Sequence, residues 1–322
     1  LMREYMQTEG RGVGWVVLMA LLTAGIAIPS LTAYVIGGAE IIRAFVTVGP
    51  IAAGLMFVIP GAAVVWLGLR ATGVAQQWAS IIMGVALLVF ALASALNPDF
   101  EFPRLAMFVP GAMAAALPVG IFTSMSQGLT PEVVRGLSHE PENIPKAIFI
   151  GLAINLVFLL VFCAAIFGLL PFDAISEVVT VSWGKSLSLP IWAAVNSFAL
   201  LALLTSFWGS ALASMGNVIE ALGFKSESAL SSRIIAFTIT VAPSVALVFA
   251  QRFDFRDMIS TAGAVGGVVL AVLPIPILLR ARAHSEREPE FTCGALFAAP
   301  VRAAVVLFYV GVLAYAAFTM PS

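Results

Sequence analysis

The sequence predicts an all-α membrane protein, and three observations carry that expectation. Apolar residues make up 61% of the 322 residues and charged residues only 10%, with a mean hydropathy of +1.05. A soluble domain carries about 25% charged residues, so this chain has too few charges to cover a water-facing globule. The apolar residues also gather into runs of about 20, the length of helix that crosses a hydrocarbon core about 30 Å thick. Finally, the basic residues are shared unevenly between alternate loops, as in multi-pass proteins.

Read with that ruler, the chain gives about nine membrane segments, near 13–42, 49–69, 76–96, 105–136, 145–170, 188–222, 233–250, 256–279 and 300–319. Short polar connections join them, such as Arg70-Ala-Thr-Gly73 and Asn97-Pro-Asp-Phe-Glu101, and no soluble domain intervenes. With a cytoplasmic amino end and one crossing per segment, Arg3, Arg11, Arg70, Arg135, Lys146, Lys225, Arg233, Arg280, Arg282, Arg287 and Arg302 fall inside. Only Arg43, Arg104, Lys185, Arg252 and Arg256 fall outside. That bias predicts an inside start and an odd number of crossings, and a plasma-membrane location is expected. The first and sixth segments, about 30 and 35 residues, exceed the bilayer and predict tilt or projection. Each precedes two segments of ordinary length, and the repeated long–short–short order suggests internal duplication.

Composition also excludes functions. A net charge of −1 gives no footprint for nucleic acid. Cys163 and Cys293 lack metal-ligand spacing and read as packed thiols. His139 and His284 fall in charged loops, and Asn143 stands where a zinc-protease motif beginning at His139 needs its second histidine. No metal, cofactor or enzymatic activity is expected. Asn155 and Asn196 read as buried amides joining helices, and Gly263-Ala-Val-Gly-Gly267 as a close-packing face.

The fourth segment carries the most chemistry. Its apolar run reaches Phe122, and Thr123, Ser124, Ser126, Gln127, Gly128, Thr130 and Pro131 follow closely. Pro131 lacks an amide donor and disfavours helix at Thr130, while Gly128 permits backbone angles that a helix does not use. Thr130, Pro131 and Glu132 read as N-cap, N1 and N2 of a new half-helix. The pattern predicts helix, an unwound stretch near Ser124–Thr130, then helix. Unpaired backbone groups in hydrocarbon cost several kcal/mol each, so such a stretch must line a polar cavity or face a ligand. Half-helix amides favour a carboxylate and free carbonyls an ammonium, the two ends of an amino acid. An ordinary proline kink is the alternative.

These residues resemble a family. Phe122-Thr-Ser-Met-Ser-Gln-Gly-Leu-Thr-Pro-Glu-Val-Val-Arg-Gly-Leu137, with Pro141-Glu-Asn-Ile-Pro-Lys-Ala-Ile148 and Gly151, resembles the sixth helix and following loop of amino-acid permeases of the amino acid–polyamine–organocation superfamily. The nearest branch is that of the aromatic and hydroxy amino acid permeases (tryptophan/tyrosine permeases) and their auxin-permease-like relatives. Leu31-Thr-Ala-Tyr-Val-Ile-Gly-Gly-Ala-Glu-Ile-Ile42, Leu204-Thr-Ser-Phe-Trp-Gly209 and Ala262-Gly-Ala-Val-Gly-Gly267 add to the likeness, which covers nearly the whole chain in order. It implies a five-plus-five inverted-repeat bundle in a single transmembrane domain, 1–322. By that resemblance 13–97 holds family helices three to five, 105–280 helices six to ten and 300–319 helix eleven. The family's first two helices are then expected to be missing, with Leu1–Arg11 ending the loop before the third. The branch usually carries aromatic or histidine residues in the unwound stretch, where this chain has Met125, Ser126 and Gln127. That departure leaves the substrate open.

The resemblance implies site residues. Thr123, Ser124, Met125, Ser126, Gln127 and Gly128 are expected to contact substrate, and Tyr34 either lines the same chamber or is an interfacial aromatic. Thr205 and Ser206 match the hydroxyl pair that binds sodium in sodium-coupled members; otherwise they bond back to their own helix. Glu40 is either a surface ion pair with Arg43 or a coupling and gating carboxylate. The expected function is alternating-access symport of a neutral or aromatic amino acid, coupled to Na⁺ or H⁺. A channel would show repeated polar faces or a carbonyl filter, and nothing specific favours a receptor or structural role. The oligomeric state is open.

Overall fold

A computed structural model describes residues 21–67, 69–107, 110–125, 130, 133–134, 137–224, 229–284 and 294–319. Among these residues the α-helices are α1 (Ile28–Phe45), α2 (Pro50–Leu67), α3 (Leu69–Ala95), α4 (Pro110–Thr123), α5 (Ile144–Leu169), α6 (Val179–Lys185), α7 (Leu189–Ala221), α8 (Leu230–Ala250), α9 (Phe255–Gly267), α10 (Pro274–His284) and α11 (Ala299–Thr319). Among the described residues no strand occurs. Among those residues seven helices are long and apolar enough to cross a membrane, and the shorter apolar helices Ile81–Ala95 and Ala112–Thr123 bring the apolar segments to nine. The most apolar window of α5, mean hydropathy 2.8, has none of its residues buried inside the protein, so hydrocarbon is its solvent.

Local sequence sets many helix starts. Pro145, Pro190 and Pro300 stand in the first turns of α5, α7 and α11, where the missing amide costs nothing. The start of α9 carries a capping box, in which Asp254 accepts from the Asp257 amide at 2.6 Å and Asp257 faces the Asp254 amide.

Two π-helical stretches, Leu21–Ala27 and Val268–Val272, each end two residues before a proline, Pro29 and Pro274. A proline ring clashes with the carbonyl four residues back, and widening the preceding turns relieves that clash. Both stretches occur in helices that otherwise continue, so α1 has a π prelude and α9 runs through its π stretch towards α10. They pack on each other, with Leu22 and Ile26 of the first against Val269 of the second and Val265 beside them.

Two larger cores stand out among the described residues. In one, α1 packs against α2, α7 and α8, with Phe57 edge-on to Phe207 at 5.9 Å; α9 meets α1 in a smaller cluster of Ala33, Met258 and Ile259. The other gathers α3, α5, α6 and α7 about Trp183, which is fully buried and edge-on to Phe90 and Phe162. The Trp183 indole donates to Ser94 Oγ at 2.8 Å. The 33-residue α7 belongs to both cores and ties them together.

Several expectations are corrected. Arg70–Gly73 is not a connection but part of α3, because no proline interrupts it and a helix satisfies its own backbone wherever it protrudes. The third member of each trio is therefore long: 27 residues for α3 and 29 for Phe255–Ala283, against 18 for α2 and 21 for α8. The order is long–short–long, and it still occurs twice. The short α6 was unforeseen, since seven residues of mixed polarity give no clear periodicity. Asn155 is exposed on α5 rather than buried. Asn196 is buried, and its amide donates to Trp192 O of its own helix at 2.9 Å, not to a neighbouring helix.

The Trp183 contact sets a stability test. Ser94→Ala leaves a buried indole N–H unpaired and should cost about 1–3 kcal/mol. Trp183→Ala should cost about 3–5 kcal/mol by opening a cavity where four helices meet. Thermal unfolding in mild detergent measures both, and the larger loss should follow Trp183→Ala.

Candidate functional site

The helix expected to break does stop inside the bundle. α4 runs to Thr123, Ser124 forms a turn and Met125 is non-helical. The Ser124 amide bonds Ile121 O at 3.1 Å and the Met125 amide bonds Phe122 O at 3.2 Å, each one residue nearer than an α-helix requires. Both adjoining hydroxyls turn back, with Thr123 Oγ1 and Ser124 Oγ each donating to Gly120 O at 2.9 Å. Side chains thus serve a carbonyl that the continuing ladder would have served. Thr123 and Ser124 are exposed and Met125 is half-buried.

Helix resumes by Thr130, which is itself helical rather than the predicted N-cap, and Val133–Val134 are helical too. The expected contacts Ser126, Gln127 and Gly128 lie outside the described residues, as do Pro131 and Glu132.

What positions this helix end is the face of α9. A Cβ added at Gly263 would lie 1.9 Å from Pro118 O, and one at Gly266 would lie 2.5 Å from Met125 Sδ. Bare backbone is therefore required at Gly263, where the neighbour is backbone, while at Gly266 the flexible end of Met125 fills the space; the close-packing reading of this stretch holds, with α4 as the neighbour. Pro118 cannot donate to the carbonyl one turn back, which weakens α4 within two turns of its end.

The same end meets α1 and α7. Phe122 lies 6.3 Å from Tyr34, ring centroid to centroid, at an interplanar angle of 51°. Tyr34 is buried, and its hydroxyl lies near those of Ser206 and Ser210, which are one turn apart on α7. Tyr34 and Ser206, 172 positions apart in sequence, are thus brought together beside the α4 terminus. Ser210 and Phe122 join them. Ser210 escaped the sequence reading, although its four-residue spacing from Ser206 puts both hydroxyls on one helix face.

Thr205 is buried and donates to Ala202 O at 2.9 Å, a back-bonded arrangement. Glu40 is separate again. It lies six residues beyond Tyr34, about 9 Å along the axis, half-buried among Arg43, Glu177 and Asp254. Glu177, in the link between α5 and α6, accepts from the Arg256 amide at 3.2 Å and so caps the first turn of α9. Charges from three elements gather there, and Glu40 and Arg43 do not form the expected ion pair.

The fold and this helix end define an integral, multi-pass α-helical membrane protein with a span-interrupting polar terminus. The profile of the Tryptophan/tyrosine permease family matches residues 4–317, and the chain belongs to that family, in the aromatic amino acid permease branch. Over 263 residues it is 26% identical to the Tryptophan-specific transport protein of Haemophilus influenzae, covering 76% of this chain and 61% of that protein. The chain thus spans less than two thirds of that relative's length.

The glycine face can be tested directly. Gly263→Ala should push α4 from α9 and cost about 1–3 kcal/mol. Gly216→Ala on α7, whose added methyl meets open space, should be neutral or slightly stabilising. Thermal melts of the two variants check the contrast.

Proposed function

We propose that this protein is a secondary active transporter that carries an aromatic amino acid across the membrane by alternating access. The observation that supports this reading best is the end of α4 at Thr123, beside the Tyr34–Ser206–Ser210 hydroxyl group. A helix end inside a span presents backbone dipoles that a zwitterion can use and that lipid cannot. In the proposal the stretch Thr123 to Gly128 holds the α-amino and α-carboxylate groups. Tyr34 and Phe122 offer an aromatic wall to the substrate ring, and Ser206 and Ser210 orient the Tyr34 hydroxyl. The relative's description as tryptophan-specific favours an indole or phenol ring as the cargo.

Ligand-driven switching needs a difference in affinity between outward- and inward-facing states. The α4 terminus supplies contacts that can change, because its last amides are held only by shortened turns. Thr205 and Ser206 remain the proposed ligands of a coupling Na⁺, whose preference for oxygen they match. Glu40 remains the proposed group for H⁺ coupling or gating. In this reading, 13–97 corresponds to helices three to five of the family's inverted-repeat fold, 105–280 to helices six to ten and 300–319 to helix eleven. The protein sits in the plasma membrane with the amino end of this chain inside.

Uptake of radiolabelled tryptophan, tyrosine, phenylalanine and leucine by membrane vesicles, with imposed Na⁺ or pH gradients, tests the proposal. Saturable uptake of an aromatic amino acid is expected, driven by one of the two gradients. Gly128→Leu should lower it at least about tenfold, and Tyr34→Phe should raise KM by roughly three- to tenfold through loss of one hydroxyl contact. Unchanged uptake in Gly128→Leu would remove the assigned site.

A further inference from the structure

At one end of the bundle, Arg282 near the end of α10 and Arg302 in the first turn of α11 converge on a single ring. Their guanidinium carbons lie 4.6 Å and 5.0 Å from the centroid of Phe297. Cation–ring attraction is modest at an exposed site, whereas two cations gathered at one ring repel each other. Among the described residues no carboxylate lies within ion-pair distance of either arginine. Among the described residues the pair is therefore a local positive centre that an anion would stabilise.

An apolar groove opens directly from this centre. It encloses about 230 Å³ between the second π stretch, α10 and α11, and its walls include Ala271, Leu278, Val301 and Val305. Phe297 and Arg302 line the groove as well as forming the cation–ring contact. Both flanking helices belong to apolar spans, so the groove faces hydrocarbon while its mouth lies at the helix ends. A ligand complementary to both parts has a negative head and a saturated tail.

We infer that Arg282, Arg302 and the groove between α10 and α11 form a binding site for an anionic phospholipid. The phosphate sits against the two guanidiniums, whose planar forks match phosphate oxygens. One acyl chain lies in the groove between Leu278 and Val305. The site is independent of the transported molecule. The competing occupants are a soluble anion and the chain's own acidic stretch, since Glu286, Glu288 and Glu290 lie between the two arginines in sequence.

Native mass spectrometry of the protein released from nanodiscs of equal phosphatidylcholine and phosphatidylglycerol decides among them. The protein should retain phosphatidylglycerol above the bilayer ratio, by roughly fivefold for each arginine engaged. Arg282→Gln with Arg302→Gln should return the ratio to that of the bilayer, and the corresponding double lysine variant should keep most of the preference. Val305→Trp, which fills the groove and leaves both arginines, should also lose the retained lipid. An undiminished preference in the double glutamine variant overturns the inference. So does displacement of phosphatidylglycerol by millimolar inorganic phosphate, which marks a soluble-anion site. A several-fold rise in lipid occupancy on changing Glu286, Glu288 and Glu290 to glutamine overturns it too, by assigning the arginines to those carboxylates. No change there supports the lipid.

Discussion

A backbone in hydrocarbon must satisfy its own amides and carbonyls, and the structure depends on where that obligation is relaxed. Among the described residues the other spans stay helical, α2 and α8 even across Pro60 and Pro243, and before Pro29 and Pro274 the turn widens rather than breaks. At Thr123 the ladder ends instead. The cost is limited by two hydroxyls that return to Gly120 O and by two shortened amide bonds. Beyond them the chain needs a polar neighbour. The hydroxyls of Tyr34, Ser206 and Ser210 are gathered close by, and the Tyr34 ring lies 6.3 Å from that of Phe122.

The support for this end is mechanical and comes from α9. Gly263 lets the backbone of α4 approach to a distance that any side chain would forbid, and the end of Met125 lies over Gly266. The same helix meets the π prelude of α1, where Val265 lies against Gly25. At its other end α9 is capped by Asp254 and by Glu177 from the α5–α6 link. One helix thus links the terminus of α4, the widened turns and the charged group around Glu40. A displacement of α9 would be felt at all three.

Much of the fold was legible because lipid imposes a length and a period of apolarity that few soluble constraints disturb. The limits of α5, α7, α8 and α11 fall within three residues of those read from the sequence, since proline or polar residues bound them. The α4 stop was legible for the same reason: Thr123 and Ser124 end an apolar run, and hydroxyls near a stop favour local bonding. What failed was local and weakly patterned. Arg70–Gly73 carries polar residues yet stays helical, and α6 is too short to declare a period. The meeting of Tyr34 with Ser210, and of Glu40 with Glu177 and Asp254, is a tertiary event between elements far apart in sequence. Helix pattern alone holds no information about which faces will touch.

The central claim is that the α4 terminus faces water and cargo rather than lipid or dry protein. It is tested by placing single cysteines at Ser124 and Met125 in a background with Cys163 and Cys293 replaced by serine, then labelling with a charged, membrane-impermeant thiol reagent. The account predicts modification at both positions, slowed by an aromatic amino acid, while a cysteine at Leu156 on the lipid-facing α5 stays unlabelled. Silence at positions 124 and 125, matching that at 156, would contradict it.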